Sequence, residues 1–200
     1  MTLFDIIKSS HIKTELPGFT YIDDFLPRVI SNEIYNNLNE EKEWFNVGNR
    51  TSRQVINFGY KYSYKNKGHA LQPSTPFPDY ITTLKNRIEN HLNLDPYFDQ
   101  CIINKYLPGE GIGKHTDHTT QFDNTIVGIT LGSGIEMEFR KDDTVVRKYI
   151  KPGSMYVMSD ECRYKWTHEI RKKKTDIVNG KRIKRDTRIS VTFRKIKKKI

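Results

Sequence analysis

Cysteine is scarce in this chain, and long hydrophobic runs are missing. Its two cysteines, Cys101 and Cys162, are too few for a disulfide framework or a tetrahedral thiolate zinc site. No apolar run approaches the roughly 20 residues that a membrane span requires. Residues 1–10 also lack the basic start and the apolar stretch of a secretory signal. We therefore expect an intracellular protein, cytoplasmic or nuclear, that has no membrane partner.

The length and composition favour a single folded domain. The chain has 200 residues, of which 36% are hydrophobic, and its mean hydropathy is -0.71, which is polar for a globular protein. Ten Phe, eleven Tyr and two Trp can still fill a core. This composition excludes collagen, coiled coil and wholesale disorder. We predict one domain over residues 1–200 and a monomer.

Positive charge is concentrated at one end. The formal net charge is +10, but residues 163–200 hold 16 basic and 3 acidic residues, and the rest of the chain is slightly acidic. The basic residues form three clusters: Arg171–Lys174, Lys181–Arg185 and Arg194–Lys199. Such a surface attracts polyanions by releasing counterions from phosphate. A solvated tail or a localisation signal would give the same pattern.

The chain divides into a helical part and a strand-rich part. Apolar residues recur at helical spacing from Pro27 to about Lys42 and again after Pro78, which predicts two amphipathic helices. After His91, short β-type runs alternate with turn residues, as in a sandwich or jelly roll. The fold class is therefore α+β with a β-sandwich core. The predicted strands are Cys101–Leu107, Asn124–Leu131, Ile135–Arg140, Thr144–Ile150, Ser154–Met158, Trp166–Arg171 and Thr187–Phe193.

Three side chains are candidate metal ligands. His115 and Asp117 lie two residues apart, so in a strand they would share one face. His168 lies in another predicted strand, and two histidines with one carboxylate form the facial triad that holds Fe(II) with open positions. A lone H-x-D pair would ordinarily be surface polar residues. His118 would project to the opposite face, and we expect the remaining histidines to be ordinary surface residues.

The final predicted strand alternates between apolar and polar residues. Its even members, Arg188, Ser190, Thr192 and Arg194, share one face, and a buried arginine is costly unless it meets an anion. A dicarboxylate would supply two anionic groups, whereas an exposed edge strand would need none. Asn104 and Tyr106 likewise share a strand face and offer an amide and a phenol to carboxylate oxygens.

Together these residues resemble the AlkB-type family of Fe(II)/2-oxoglutarate dioxygenases. The resemblance lies in Asn104-x-Tyr106-x-x-Gly109-x-Gly111-Ile112-x-x-His115-x-Asp117, followed by His168 and by Arg188-x-Ser190-x-Thr192-Phe193-Arg194. It covers about 90 residues and reaches back more loosely to about Gly18. It implies a double-stranded β-helix (jelly-roll) core over about 100–194, with N-terminal helices packed on it and a basic tail over 195–200.

The resemblance also implies roles for these residues. His115, Asp117 and His168 would ligate Fe(II). Arg188, helped by Tyr106, would bind the distal carboxylate of 2-oxoglutarate. The pocket would be completed by Arg194, Asn104 and Ser190, the last at a position where some family members have Asn.

An upstream segment, about 45–75, is similar to the family's nucleotide-recognition lid. The usual Pro-Arg and Tyr-Gly pattern is replaced here by Ser52-Arg53 and Phe58-Gly59. Its candidate substrate contacts are Arg53, Tyr60 and Tyr62. An aromatic-rich lid suits unstacked bases, which bind by stacking on rings.

The resemblance implies an oxygenase that acts on nucleic acid. Fe(II), 2-oxoglutarate and O2 would be used to demethylate or hydroxylate a modified base in DNA or RNA, with release of succinate, CO2 and, from an N-methyl group, formaldehyde. The base would be single-stranded or flipped out of a duplex. Two alternatives remain open: the same chemistry on a protein side chain, and a basic nucleic-acid-binding module without catalysis.

Overall fold

The computed structural model describes residues 16–48, 53–61 and 71–197. These residues form three helices and fifteen strands, which are joined by short connections. The strands pair antiparallel throughout. The helices are α1 (Arg28–Glu40), α2 (Asp79–His91) and α3 (Asp160–Lys165). The strands are β1 (Phe19–Ile22), β2 (Phe45–Asn46), β3 (Gln54–Phe58), β4 (Tyr60–Lys61), β5 (Gln72–Pro73), β6 (Gln100–Tyr106), β7 (Ile112–His115), β8 (Phe122–Gly132), β9 (Ile135–Lys141), β10 (Thr144–Ile150), β11 (Met155–Met158), β12 (Thr167–Ile170), β13 (Thr175–Val178), β14 (Lys181–Lys184) and β15 (Arg188–Ile196).

Two sheets form the sandwich. The major sheet has the order β1-β11-β8-β15-β6-β3-β2, and the minor sheet has the order β10-β9-β12-β7. One buried cluster joins residues of both sheets, including Tyr156 of β11 and Phe139 of β9, so it fills the space between them. β13 and β14 form a separate hairpin, as do β4 and β5.

β15 is the central strand that organises the major sheet. It pairs with β8 on one side and with β6 on the other, which excludes the exposed edge strand that the sequence left open. Its odd members Ile189, Val191 and Phe193 belong to the buried cluster that also contains helix residues. Because side chains alternate along a strand, its even members face the minor sheet.

The two longer helices begin where the sequence predicts. Each starts directly after a proline, Pro27 or Pro78, which fits the first turn because proline has no N–H to leave unbonded. Ile81, Leu84 and Ile88 of α2 are buried in one cluster with residues of the major sheet. In α1, Ile34 and Leu38 are buried as expected, but Ile30 is exposed and Ser31 takes the buried position.

Three local features differ from the sequence expectations. α3 was missed, so the strand that carries His168 begins at Thr167 and not earlier. The β13–β14 hairpin was also missed, although Asn179-Gly180 is a strong signal for a two-residue hairpin turn. β7 ends at His115, so Asp117 is outside the strand.

In the described ranges, no helix is long and apolar enough to span a membrane.

Candidate active site

Polar side chains converge in a cavity between the two sheets. β6 and β15 of the major sheet supply one wall, and β7 and β12 of the minor sheet supply the other. Apolar side chains of Ile112, Met137, Met158 and Ile170 line the same space and limit the access of water. The polar lining comprises Asn104, Tyr106, His115, Asp117, Tyr156, His168, Arg188, Ser190, Thr192 and Arg194.

The two candidate histidine ligands lie side by side. His115 of β7 is the register partner of His168 of β12, and their ring centroids are 4.3 Å apart. His115 Nδ1 is 2.8 Å from the carbonyl oxygen of Gly113, which fixes the ring orientation. Burial, together with the neighbouring His115, lowers the pKa of His168 to about 3. His168 is therefore neutral at physiological pH, the form in which imidazole binds a metal.

Asp117 reaches the same cavity from a loop. Strand alternation, the basis of the sequence argument, does not place it there, because β7 has already ended. Its Oδ1 accepts a hydrogen bond of 2.7 Å from Arg194 Nη2. Burial alone would raise the pKa of Asp117, but Arg194 and the two histidines hold it well below its usual range. The carboxylate is therefore anionic.

Arg163 of α3 fixes the loop that carries Asp117. The guanidinium is almost fully buried and donates hydrogen bonds to the backbone carbonyls of Asp117 (2.8 Å) and His118 (3.0 Å). It also donates to the carbonyls of Phe122 and Asp123 at the end of the loop. Sequence reasoning missed this residue, because a single arginine in a sequence does not indicate that its acceptors will be backbone carbonyls 40 or more residues away.

The side chains of His115, Asp117 and His168 suit Fe(II), although they are not arranged as a compact ligand cluster. Within the described ranges, no group of three or more His, Cys, Asp or Glu side chains forms a ready metal cluster. Asp117 is held by Arg194 instead, but a carboxylate has about four acceptor sites and one contact does not exhaust them. Two imidazoles and one anionic carboxylate match the ligand preference of non-haem Fe(II).

Arg188 gives the clearest indication of an anion-binding site. It is 1% exposed, and its Nη2 donates to Thr130 Oγ1 at 2.9 Å, but its Nε and Nη1 are buried with no partner among the described residues. A buried guanidinium with unsatisfied donors is costly, and a carboxylate would supply the charged acceptor that arginine favours. The residues present therefore fit one end of a dicarboxylate such as 2-oxoglutarate.

The other predicted pocket residues surround Arg188. Tyr106 is its register partner on β6, and the guanidinium lies 5.5 Å from the Tyr106 ring centroid. Burial raises the pKa of Tyr106 and of Tyr156, so both phenols remain protonated hydrogen-bond donors. Tyr156 was not predicted as a pocket residue; Gly128, where a Cβ would lie 2.1 Å from its ring, makes room for it. Ser190 lines the cavity beside them.

A second cleft of about 340 Å³ adjoins the cavity and shares His115, Asp117, Asn104 and Arg194 with it. Arg53 lines this cleft, and its Nε donates to Asn104 Oδ1 at 2.9 Å. Tyr60 does not line it; the Tyr60 carbonyl instead lies 3.5 Å from Gln100 Nε2. Tyr62 lies outside the described residues. The other lining residues are Ile102, Ile112, Gly113, Thr116, His118 and Phe122.

The chain is similar to known proteins over most of its length. The family model for the 2OG-Fe(II) oxygenase superfamily matches residues 18–194. The chain is 36% identical over 191 residues to the uncharacterized protein L905 of Acanthamoeba polyphaga mimivirus, covering 90% of this chain and 86% of that one. It is 31% identical over 202 residues to the tRNA (carboxymethyluridine(34)-5-O)-methyltransferase alkbh8 of Xenopus tropicalis. That match covers 90% of this chain but only 32% of the relative.

A solved structure shares the fold. The structure of OsALKBH1 superimposes with a TM-score of 0.68 at 17% identity, covering 90% of this chain and 97% of that one. At this identity the similarity shows the fold alone, which is the jelly roll expected from the sequence.

Proposed function

Because the chain belongs to the AlkB-type family within the 2OG-Fe(II) oxygenase superfamily, we propose that it is a dioxygenase that uses Fe(II) and 2-oxoglutarate to oxidise modified bases in nucleic acid. The single observation that carries the cosubstrate assignment is the buried Arg188, whose Nε and Nη1 have no partner among the described residues. The relative from Xenopus tropicalis is named for a tRNA modification, which supports a nucleic-acid substrate.

In this proposal His115, Asp117 and His168 hold the metal. Arg163 and Arg194 position Asp117 from two sides, one through its backbone and one through its carboxylate. Arg188 binds the distal carboxylate of 2-oxoglutarate, with Tyr106 beside it and Asn104, Ser190 and Arg194 completing the pocket. Iron with bound 2-oxoglutarate supplies the oxidation, in which O2 and 2-oxoglutarate yield succinate, CO2 and a hydroxylated substrate carbon.

The adjoining cleft would receive the target base. Its volume of about 340 Å³ and its mixed lining of apolar and polar side chains suit a planar, hydrogen-bonding ring. Arg53 would contribute from the segment 45–75, which we propose as the recognition lid. If the hydroxylated carbon is an N-methyl group, the product loses formaldehyde and the base is demethylated; a carbon-bound target would remain hydroxylated.

The test is product analysis with a panel of substrates. Purified protein with Fe(II), 2-oxoglutarate and O2 is offered N-methylated single- and double-stranded oligonucleotides of RNA and DNA, and succinate and formaldehyde are measured. The proposal predicts that at least one polymer yields formaldehyde or a hydroxylated base, the latter detected by mass spectrometry. The His115→Ala variant should yield neither product. Succinate production that is stimulated by peptides and by no oligonucleotide would contradict the nucleic-acid assignment.

A further inference from the structure

Two groups can be distinguished among the basic residues that the structure describes between 163 and 197. One group is used inside the molecule, so the high positive charge of residues 163–200 is not simply a solvated tail. Its members contact carboxylates, carbonyls or hydroxyls: Arg163, Arg171, Lys173, Arg185, Arg188, Arg194 and Lys195.

The second group gathers on one hairpin. Lys172, Lys174, Lys181, Arg182 and Lys184 are all exposed, and none of them has a carboxylate partner within 4.0 Å in the part of the chain that the structure describes. They lie on or directly before β13 and β14. We call residues 172–184 the basic hairpin.

The basic hairpin is a built feature and not a frayed loop. Asn179 and Gly180 both have positive φ values, 49° and 75°, as a two-residue hairpin turn of this hand requires. At its base, Arg185 forms a buried two-point ion pair with Asp176 at 2.6 and 2.7 Å. Arg185 also donates to the carbonyl of Arg171 at 2.8 Å. The lysine and arginine side chains of the basic hairpin therefore extend from a well-ordered backbone.

An exposed apolar side chain lies among the outward-facing cations. Ile177 is 55% exposed and is the register partner of Arg182, whereas Ile183 pairs with Asp176 and shares its face. Asp176 points inward from β13, so alternation directs Ile177 outward with Arg182 and Lys184. The surface thus combines phosphate-binding groups with apolar area that can contact sugars or bases.

The basic hairpin adjoins the active-site cleft. The N–H of Gly109 donates to the carbonyl of Lys173 at 3.1 Å, which ties the hairpin base to the turn that precedes β7. At Gly111 a Cβ would lie 2.1 Å from the carbonyl oxygen of Ile170, so only glycine permits this close approach. Ile112, which lines the cleft, follows Gly109 by three residues, a reach of at most about 11 Å.

We propose that the basic hairpin is the docking surface for the phosphodiester backbone of the nucleic acid whose base enters the cleft. This inference rests on the proposed function, because it assumes a polynucleotide substrate. Backbone contacts of this kind set orientation and register without reading sequence. They would hold the strand a few nucleotides from the target base.

The test compares two triple variants that lose the same charge. The hairpin variant carries Lys181→Gln, Arg182→Gln and Lys184→Gln, and the control carries Arg28→Gln, Lys42→Gln and Lys148→Gln on α1, after α1 and on β10. Fluorescence anisotropy measures the affinity for labelled single-stranded RNA and DNA of about 20 nucleotides. Each titration is repeated between about 50 and 200 mM salt. Succinate formation in the absence of nucleic acid is measured for each protein and shows whether its oxygenase site is intact.

The hairpin variant is expected to bind at least about tenfold more weakly and to lose about 2 from the slope of log affinity against log salt. The control should stay within about twofold of wild type, and both should form succinate normally. Equal weakening in both variants would overturn the proposal. So would a wild-type protein that forms succinate and binds phosphatidylserine vesicles but neither polymer. Hairpin-dependent polynucleotide binding without succinate would support the docking surface and contradict the oxygenase.

Discussion

Arg188 is the residue whose surroundings are hardest to explain without a ligand. Arg163, which is also nearly fully buried, donates to four backbone carbonyls, whereas Arg188 Nε and Nη1 have no acceptor among the described residues. Removing a charge from water without a partner destabilises the folded protein. The arginine is therefore best understood as part of a binding site that a dicarboxylate completes.

Replacing Arg188 should separate stability from ligand binding. Without 2-oxoglutarate, we expect Arg188→Gln to unfold at the same temperature as wild type or higher, because an unpaired buried charge has been removed. The apparent KM for 2-oxoglutarate should rise at least about tenfold, which corresponds to about 1.4 kcal/mol and to the loss of a charge-assisted hydrogen bond. Thermal unfolding with and without 2-oxoglutarate and steady-state kinetics measure the two effects.

Arg188→Lys is the matched control, since it keeps the charge but loses the two-point geometry. We expect it to fall between wild type and Arg188→Gln. An equal rise in melting temperature on addition of 2-oxoglutarate to all three proteins would place the carboxylate elsewhere.

At the scale of elements, α3 and the following β12 act as a unit. α3 brings Arg163 to the loop that carries Asp117, and β12 brings His168 beside His115. The three candidate ligands thus depend on packing between elements distant in sequence. The loop itself has no strand pairing to hold it.

Arg163→Gln should loosen this loop. The free energy of unfolding is expected to fall by about 2 to 4 kcal/mol, because several buried carbonyls lose a charged donor. Affinity for Fe(II) should fall roughly 10- to 100-fold, the usual effect of removing a group that positions a ligand. Urea unfolding and metal titration check both values. Lys165→Gln, an exposed change on the same helix, should stay within about 0.5 kcal/mol of wild type; an equal effect of both changes would contradict the assigned role.

The outer face of the minor sheet gives a pH-dependent prediction. Glu138 of β9 accepts hydrogen bonds from Arg140, Arg171 and Arg147 at 2.7, 2.8 and 2.9 Å. Burial alone would raise the pKa of Glu138, but the three arginines hold it below its usual value of 4.5. The folded state therefore binds this proton less readily than the unfolded chain. Its stabilising contribution is present above about pH 4.5 and is lost as the pH falls through the folded pKa.

Glu138→Gln should remove this dependence. Near pH 7 the variant is expected to be less stable by up to about 1 kcal/mol, the scale of partly exposed ion pairs. As the pH falls below about 4.5, wild type should lose stability more steeply and the difference should shrink. Chemical denaturation over a pH series measures this. A difference that stays constant from neutral to acid pH would show that the carboxylate is not stabilised by its arginines.

The elements differ in how far the sequence could predict them. α2 was predictable because Ile81, Leu84 and Ile88 repeat at helical spacing and all three are buried. α3 was not, because six residues give too few turns for a periodic pattern. The β13–β14 hairpin has a clear Asn-Gly turn, but half of its strand residues are charged and they lack the alternation that marks a strand.

At the scale of the whole molecule, β15 links the core to the site. Its odd side chains complete the cluster shared with the helices, and its even side chains face the cavity between the sheets. The sequence predicted this division because the alternation is strict from Arg188 to Arg194. The sequence could not predict that Arg163 and Arg194 would hold Asp117 in place, since those hydrogen bonds join residues that are 46 and 77 positions apart.

The central claim is that His115, Asp117 and His168 would hold the iron at which O2 oxidises 2-oxoglutarate. The most direct measurement is succinate formation by iron-loaded protein in three single alanine variants of these residues, with His118→Ala as the matched control. His118 lines the same cleft, but its Nδ1 lies 3.1 Å from Thr120 Oγ1. We predict that each of the three variants loses more than about a hundredfold in rate, while His118→Ala stays within about threefold of wild type. Full iron occupancy and turnover in any of the three, or an equal loss in His118→Ala, would contradict the account.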